Sequence, residues 1–229
     1  MYIFMILIFL SIVINFFIET LSWYIKSISL PGNIAKSISI SNMILYSSRI
    51  FNYLFITSIS LYIDRDYNLN LLIATLLLAM FISFFLHYFF FTSKFCVIQL
   101  KKLICLICIS NTRLYNVVSK LSFKKLNRKI LDGKVFFYTI ISSFIFSSTL
   151  IIPYILTYYI PQYKLTIVSF GSIGNFLATI PLIFYVDYIM HTYMDKSILG
   201  DFLYSYILGR SLGFLLFAIL FTLYLVFYY

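Results

Sequence analysis

Three charged residues stand where charge is expensive: Glu19, Arg49 and Arg210 each lie inside an otherwise apolar run of the 229-residue chain. Even on lenient insertion scales a charge at membrane depth costs about 2.5–3.5 kcal/mol, so each requires a partner or a task. One carboxylate against two guanidinium groups leaves a positive surplus, and the planar donor fork of arginine suits phosphate oxygens. This predicts binding of an anionic, phosphorylated amphipath. The competing expectation is that Glu19 pairs with one arginine to fasten helices while the other arginine reaches the interface.

Other patterns that resemble catalytic signatures lack their context. Gly209-Arg210-Ser211-Leu212-Gly213 fits the G-x-S-x-G spacing of a nucleophile elbow, but that elbow needs a strand turning into a helix, and here the run is continuous and apolar. The glycines read better as a small-xxx-small surface for close helix approach. Cys105 and Cys108 make a C-x-x-C with only Cys96 nearby, short of four zinc ligands, and His87 and His191 lack the H-E-x-x-H pairing. No Walker A motif or dinucleotide fingerprint occurs, so no metal, nucleotide or other cofactor is expected.

The elements that must carry these charges follow from composition. With 62% hydrophobic, 21% aromatic and 10% charged residues, the chain is no water-soluble monomer; 7 Gly, 4 Pro and 3 Cys exclude collagen-like and disulfide-scaffold designs. Six runs approach the roughly 20 apolar residues a spanning helix needs: 2–25, 39–61, 69–92, 135–158, 165–186 and 202–228. They do not alternate as barrel strands do. The expectation is an all-α integral membrane protein, a single polytopic domain over 1–229 with about six transmembrane helices. The first run has no preceding Lys or Arg and no small-residue cleavage pattern, so it is expected to remain as a span rather than a signal peptide.

At 100° per residue Ser11, Asn15, Glu19, Ser22 and Lys26 share one face of the first helix; Asn42, Arg49 and Asn52 share one on the second. Tyr206, Arg210 and Gly213 do so on the sixth, and Ser172, Asn175 and Thr179 form a weaker stripe on the fifth. Four such stripes predict a polar seam inside the bundle. At a 1.5 Å rise Glu19 lies about 10 Å inward of Lys26, and Arg49 and Arg210 about 15 and 12 Å from the starts of their spans. All three therefore fall at similar depth, and a cavity opening to the cytoplasm is expected.

Orientation comes from the basic residues. The stretch 94–134 holds ten Lys or Arg against Asp132 alone, nine units of the net +10. The positive-inside tendency makes it a cytoplasmic loop and puts both termini outside. Residues 95–109, split by Lys101 and Lys102, read as interfacial or as a tail of the third span. Leu114, Val117, Val118 and Leu121 recur at helical spacing beside the basic positions, as in an in-plane amphipathic helix on anionic lipid. No groove-reading motif surrounds the charges, so nucleic acid is not an expected partner. After the fifth span, a loop carrying Asp187, His191, Asp195, Lys196 and Asp201 offers gate or ion-pair candidates in Asp187 and Asp195, with Lys36 from the first cytoplasmic loop.

Two stretches together resemble a known family. Ile18-Glu19-Thr20, Tyr24-Ile25-Lys26-Ser27, then Ser39-Ile40-Ser41-Asn42-Met43-Ile44-Leu45 through Ser48-Arg49-Ile50-Phe51-Asn52 are similar to the start of the Amj-type alternate lipid II flippases. Ala178-Thr179, Val186-Asp187, Thr192, Asp195-Lys196 and Leu208-Gly209-Arg210-Ser211-Leu212-Gly213 are similar to that family's last two spans and the loop between them. The resemblance covers somewhat under half the chain. It implies a non-enzymatic flippase that moves lipid II, or another polyprenyl-pyrophosphate-linked glycan, from the inner to the outer leaflet of a bacterial cytoplasmic membrane for peptidoglycan synthesis. It places Arg49 and Arg210 on the pyrophosphate, Asn42 and Asn52 on polar headgroup parts, and Glu19 on an arginine when no substrate is bound. A membrane-embedded lipid phosphatase or acyltransferase and a non-transporting helper subunit are the rival readings; the unit's oligomeric state is open.

Overall fold

The computed structural model describes residues 1–27, 34–107, 131–195 and 199–228. Among them there is no strand. The helices are α1 (Tyr2–Ser27), α2 (Ile34–Asp64), α3 (Leu69–Thr92), α4 (Lys94–Ile107), α5 (Gly133–Tyr159), α6 (Lys164–Pro181), α7 (Tyr188–Asp195) and α8 (Leu199–Tyr228). A short 3-10 turn, Pro161–Tyr163, leads into α6, and a π-helical stretch, Leu182–Asp187, joins α6 to α7.

Among the described residues, five helical stretches are long and apolar enough to cross a bilayer: Tyr2–Lys26, Leu69–Thr92, Gly133–Tyr159, Pro161–Tyr193 and Phe202–Phe227. The expected span 39–61 falls in α2, which does not join them on apolarity. Its 31 residues reach about 46 Å, yet Ser39, Ser41, Asn42, Ser47, Ser48, Arg49, Asn52, Thr57, Ser58 and Ser60 interrupt the apolar run. α2 lies instead against the length of α1 as its antiparallel partner. Ser41 Oγ donates to Ser22 O at 2.7 Å at one end, while Arg65 sits over the Phe4 ring at the other.

Around the bundle α2 packs on α1, α1 on α3, α3 on α8, α8 on α5 and α5 on α6. Two apolar clusters stack along this axis. One, built on Ile12, Phe16, Phe55, Leu76, Ile151 and Phe214, occupies the half that holds both termini. The other, with Tyr24, Phe91, Val97, Leu100, Phe202 and Tyr206, closes the opposite, basic end. Phe4 meets Tyr67, and Leu225 and Tyr159 line one cavity, so α1 begins and α8 ends at the same end of the bundle.

Helix breaks have local causes. Ser93 takes an extended conformation (φ −84°, ψ 124°), so residues 94–107 form a separate helix rather than a tail of α3, burying Val97, Leu100 and Ile104. Asp132 caps α5, its Oδ1 accepting from Lys134 N and Val135 N. Pro181 cannot donate to the ladder, and the helix widens into its π stretch just beyond. The chain then continues helically through Asp195, where a loop was expected: among 182–195 neither glycine nor a further proline stops it. The amphipathic stretch expected at 114–121 lies outside the described residues, as do Lys196 and the side chains of Lys36, Asp195, Asp201 and Ser172.

Candidate functional site: a polar seam around Arg210

The α1 stripe turns inward. Ser11, Asn15 and Ser22 are buried, and Glu19 reaches across to α8, where its carboxylate pairs with Arg210 Nη2. The two partners are unequally enclosed: the Arg210 side chain is 5% exposed and that of Glu19 is 20% exposed. Arg210 Nη1 donates to Tyr206 Oη at 3.1 Å, one turn back on the same helix, and the guanidinium carbon stands 5.5 Å from the Phe214 ring centre. The aliphatic stem and charged head are thus held by aromatic surface on one side and one carboxylate on the other.

α8 reaches this position because its glycines let it touch backbone. A Cβ on Gly209 would sit 2.7 Å from Phe136 O, and one on Gly213 would sit 2.6 Å from Ser143 Cβ and 2.9 Å from Ile140 O. The G-x-S-x-G run is therefore the contact surface between α8 and α5. Ser211 is buried with its hydroxyl donating to Ile207 O, as in an ordinary helix.

Three buried polar atoms near this junction have no hydrogen-bond partner among the described residues: Asn15 Oδ1 on α1, Ser143 Oγ on α5 and Arg210 Nε on α8. The helices that carry them are locked together by neighbouring rings. Phe16 stacks on Phe214 at 4.4 Å and meets Phe146 at 5.6 Å. Buried groups are almost always hydrogen-bonded, because an unmade bond costs about 1–3 kcal/mol each, so three orphans where three helices meet mark a place equipped for more polar contacts than it holds.

From this seam a ladder leads to the basic end. Tyr206 stacks on Trp23 at 4.8 Å, Lys26 Nζ lies 5.1 Å from the Trp23 ring centre, and the same ammonium pairs with Asp187 at 2.5 Å. Asp187, one of the sequence-predicted ion-pair candidates, therefore ties the π stretch to the end of α1; His191 Nε2 stands 3.9 Å from it. At the opposite end Lys164 pairs with Asp64, joining the start of α6 to the end of α2.

The second expected arginine is elsewhere. Arg49 is exposed on the outer face of α2 and lies over the Tyr46 ring at 4.8 Å; Asn42 is exposed on the same face. The two-arginine clamp is thus not assembled here, because α2 docks on α1 through Ser41 and the neighbouring Ile40, which leaves Asn42 and Arg49 pointing away. Asn52 is half-buried and lines a separate cavity of about 90 Å³ with Thr149, Pro153, Tyr154, Gly171 and Asn175. There Thr149 Oγ1 donates to Asn175 Oδ1 at 2.6 Å, and Gly171 allows α6 to approach Thr149 O, the carbonyl that Pro153 cannot bond.

Sequence reasoning missed Ser143 and Trp23. Thr139, Ser142, Ser143 and Ser147 recur at helical spacing on α5, a stripe as regular as that of α1, and would have shown it. Trp23 stands three residues before Lys26, the spacing at which helical neighbours touch. His87 is fully buried, with Nδ1 at 2.5 Å from Ser83 O and Nε2 at 3.0 Å from Phe16 O, a bundle histidine joining α3 to α1.

A larger cavity of about 650 Å³ opens between α3, α5 and α8 toward the termini. Ile73, Phe144, Ile155, Phe217 and Leu220 line it, and its one hydroxyl within that lining that is not phenolic, Ser148 Oγ, is occupied by Phe144 O. Along α8 these residues begin about 10 Å beyond Arg210.

The helices and their charged interior define the class: an all-α, multi-pass membrane protein with a partly buried ion pair joining α1 to α8. In comparisons with known proteins, no family model, no curated protein and no solved structure matches the chain.

Proposed function

We propose that the protein carries an anionic, lipid-linked headgroup across the membrane, with Arg210 as its anion-binding residue. The observation that carries the reading is the state of that guanidinium. It is buried beside a single carboxylate and keeps an unpartnered Nε–H, in a bundle that spends about 2.5–3.5 kcal/mol or more on holding each charge there. The orphaned Ser143 Oγ can donate to a phosphate oxygen, and the orphaned Asn15 Oδ1 can accept from a sugar hydroxyl. The nearby apolar cavity offers a place for hydrocarbon, which suits a ligand with both characters. With the sequence resemblance, this points to lipid II or a related polyprenyl-pyrophosphate-linked glycan, flipped outward across a bacterial cytoplasmic membrane.

In this reading Arg210, rather than an Arg49–Arg210 clamp, receives the phosphate. Arg49 and Asn42 act on the outer face of α2, where a headgroup whose tail stays in lipid would pass. Glu19 holds Arg210 between cycles. The experiment is complementation of a bacterium depleted of its lipid II flippases, with outer-leaflet precursor measured directly. The wild-type chain restores it and Arg210→Gln, inserted at equal level, does not. Equal precursor in both strains removes the anion role, and hydrolysis of polyprenyl pyrophosphate by the purified protein selects the enzyme reading.

A further inference from the structure

The Arg210 side chain has one edge in use by half. The Nε–H and the Nη2 group of a guanidinium lie on a common edge, the one that grips two oxygens of a carboxylate or phosphate side-on. Here Glu19 Oε2 occupies Nη2 alone and Nε is left without a partner, while Nη1, on the other side, is taken by Tyr206. A phosphate gripping that edge competes with Glu19 for Nη2 and brings a second negative charge against its carboxylate.

Displacing Glu19 changes the charge balance of the seam. Glu19 and Arg210 together are neutral. A singly charged phosphate on Arg210 would leave a carboxylate without its cation and facing a second anion, in a place where Arg210, Asn15 and Ser143 are almost completely enclosed. Desolvation and a like charge both favour the protonated form of a carboxyl group. The Glu19 side chain keeps 20% of its surface exposed, so it is not sealed inside the seam as Arg210 is.

Resting on Arg210 as the anion-binding residue, we propose that each phosphate bound there brings one proton onto Glu19. The hydrogen bond from Arg210 Nη2 to Glu19 Oε2 breaks, and Nε–H and Nη2–H bond to two phosphate oxygens. Water delivers a proton to the freed carboxylate, and the occupied seam returns to the charge of the empty one. Binding and release on opposite sides of the membrane then move a proton with the anion, so a proton gradient biases the direction of transport.

The other ionisable groups around Glu19 do not supply this proton. Lys26, on the same helix, is engaged by Asp187 from the π stretch. Tyr206 of α8 lies within electrostatic reach of both Glu19 and Asp187 and already accepts from Arg210. His87 of α3 lies within reach of Arg210 but is fully buried between the backbone carbonyls of Ser83 and Phe16, closed off from exchange with the surroundings. On α2, Arg49 points outward.

The test is calorimetric titration of the full chain in detergent with farnesyl methyl phosphate, a phosphodiester whose single charge is constant across the working range. Titrations at pH 7 in two buffers of different ionisation enthalpy count the protons exchanged. Wild type is expected to take up close to one proton per ligand; Glu19→Gln, nearly isosteric, is expected to bind at least as tightly and take up about none. Saturable wild-type binding without proton uptake overturns the coupling and leaves the anion site standing. Unchanged uptake in Glu19→Gln overturns it as well. No saturable binding, or equal affinity in Arg210→Gln, overturns the anion site and the coupling with it.

Discussion

Removing the Glu19 carboxylate as Glu19→Ala strips Arg210 of its only ionic partner among the described residues and leaves a guanidinium whose side chain is 5% exposed, with a hydrogen bond to Tyr206 Oη. Breaking a buried pair from one side costs about 3–5 kcal/mol, since the remaining charge stays desolvated. The reverse change, Arg210→Met, leaves Glu19, which at 20% exposure is less enclosed than the arginine, so a smaller loss of about 1–3 kcal/mol is expected. Glu19→Leu with Arg210→Met removes both charges and keeps much of the volume. Such replacements are often neutral or stabilising by about 1–4 kcal/mol, so the double variant should be more stable than Glu19→Ala. Unfolding in mixed micelles with rising dodecyl sulfate is the assay, followed by fluorescence of Trp23, the single tryptophan, which stacks on Tyr206 beside the pair. The double variant should be stable and inactive in transport. The reasoning fails if Glu19→Ala lies within about 1 kcal/mol of wild type, or if the double variant loses as much as the two single losses combined.

Two further outcomes test the frame that holds this pair. Gly213→Val would push α8 off α5 by about 1 Å, because its Cβ alone meets Ser143 Cβ at 2.6 Å and Ile140 O at 2.9 Å; overpacking of this kind costs about 1–3 kcal/mol and should lower the thermal midpoint, whereas Gly133→Ala, with open space around it, should not. Asp187→Asn removes the latch between Lys26 and the π stretch; the pair is partly exposed, so about 0.5–1 kcal/mol is at stake, and hydrogen exchange should quicken over residues 182–195 while α3 and α5 keep their protection.

The helical class, the membrane setting and the inward stripe of α1 were legible because each depends on local quantities: apolar run length and the 3.6-residue period. Ser11, Asn15, Glu19 and Ser22 fall on one face among Ile, Leu and Phe, and no other side of α1 competes for the interior. The span expected at 39–61 was less legible for the same reason. α2 carries polar groups on every side, so its period identifies no unique inner face, and its apolarity falls short of that of the other spans. Ser41 and Ser48 turned in, and Asn42 and Arg49 turned out.

Residue types alone therefore determined that helices would have to hold Glu19 and Arg210 among apolar neighbours. Which arginine met Glu19 was decided by tertiary packing. The glycine face of α8 seated that helix on α5, and Arg210 beside it met Glu19 of the α1 stripe, while a serine contact between α1 and α2 left Arg49 turned outward onto Tyr46. A hydrogen bond between neighbouring helices sets rotation about an axis, a quantity that no sequence period contains when polar side chains surround the helix.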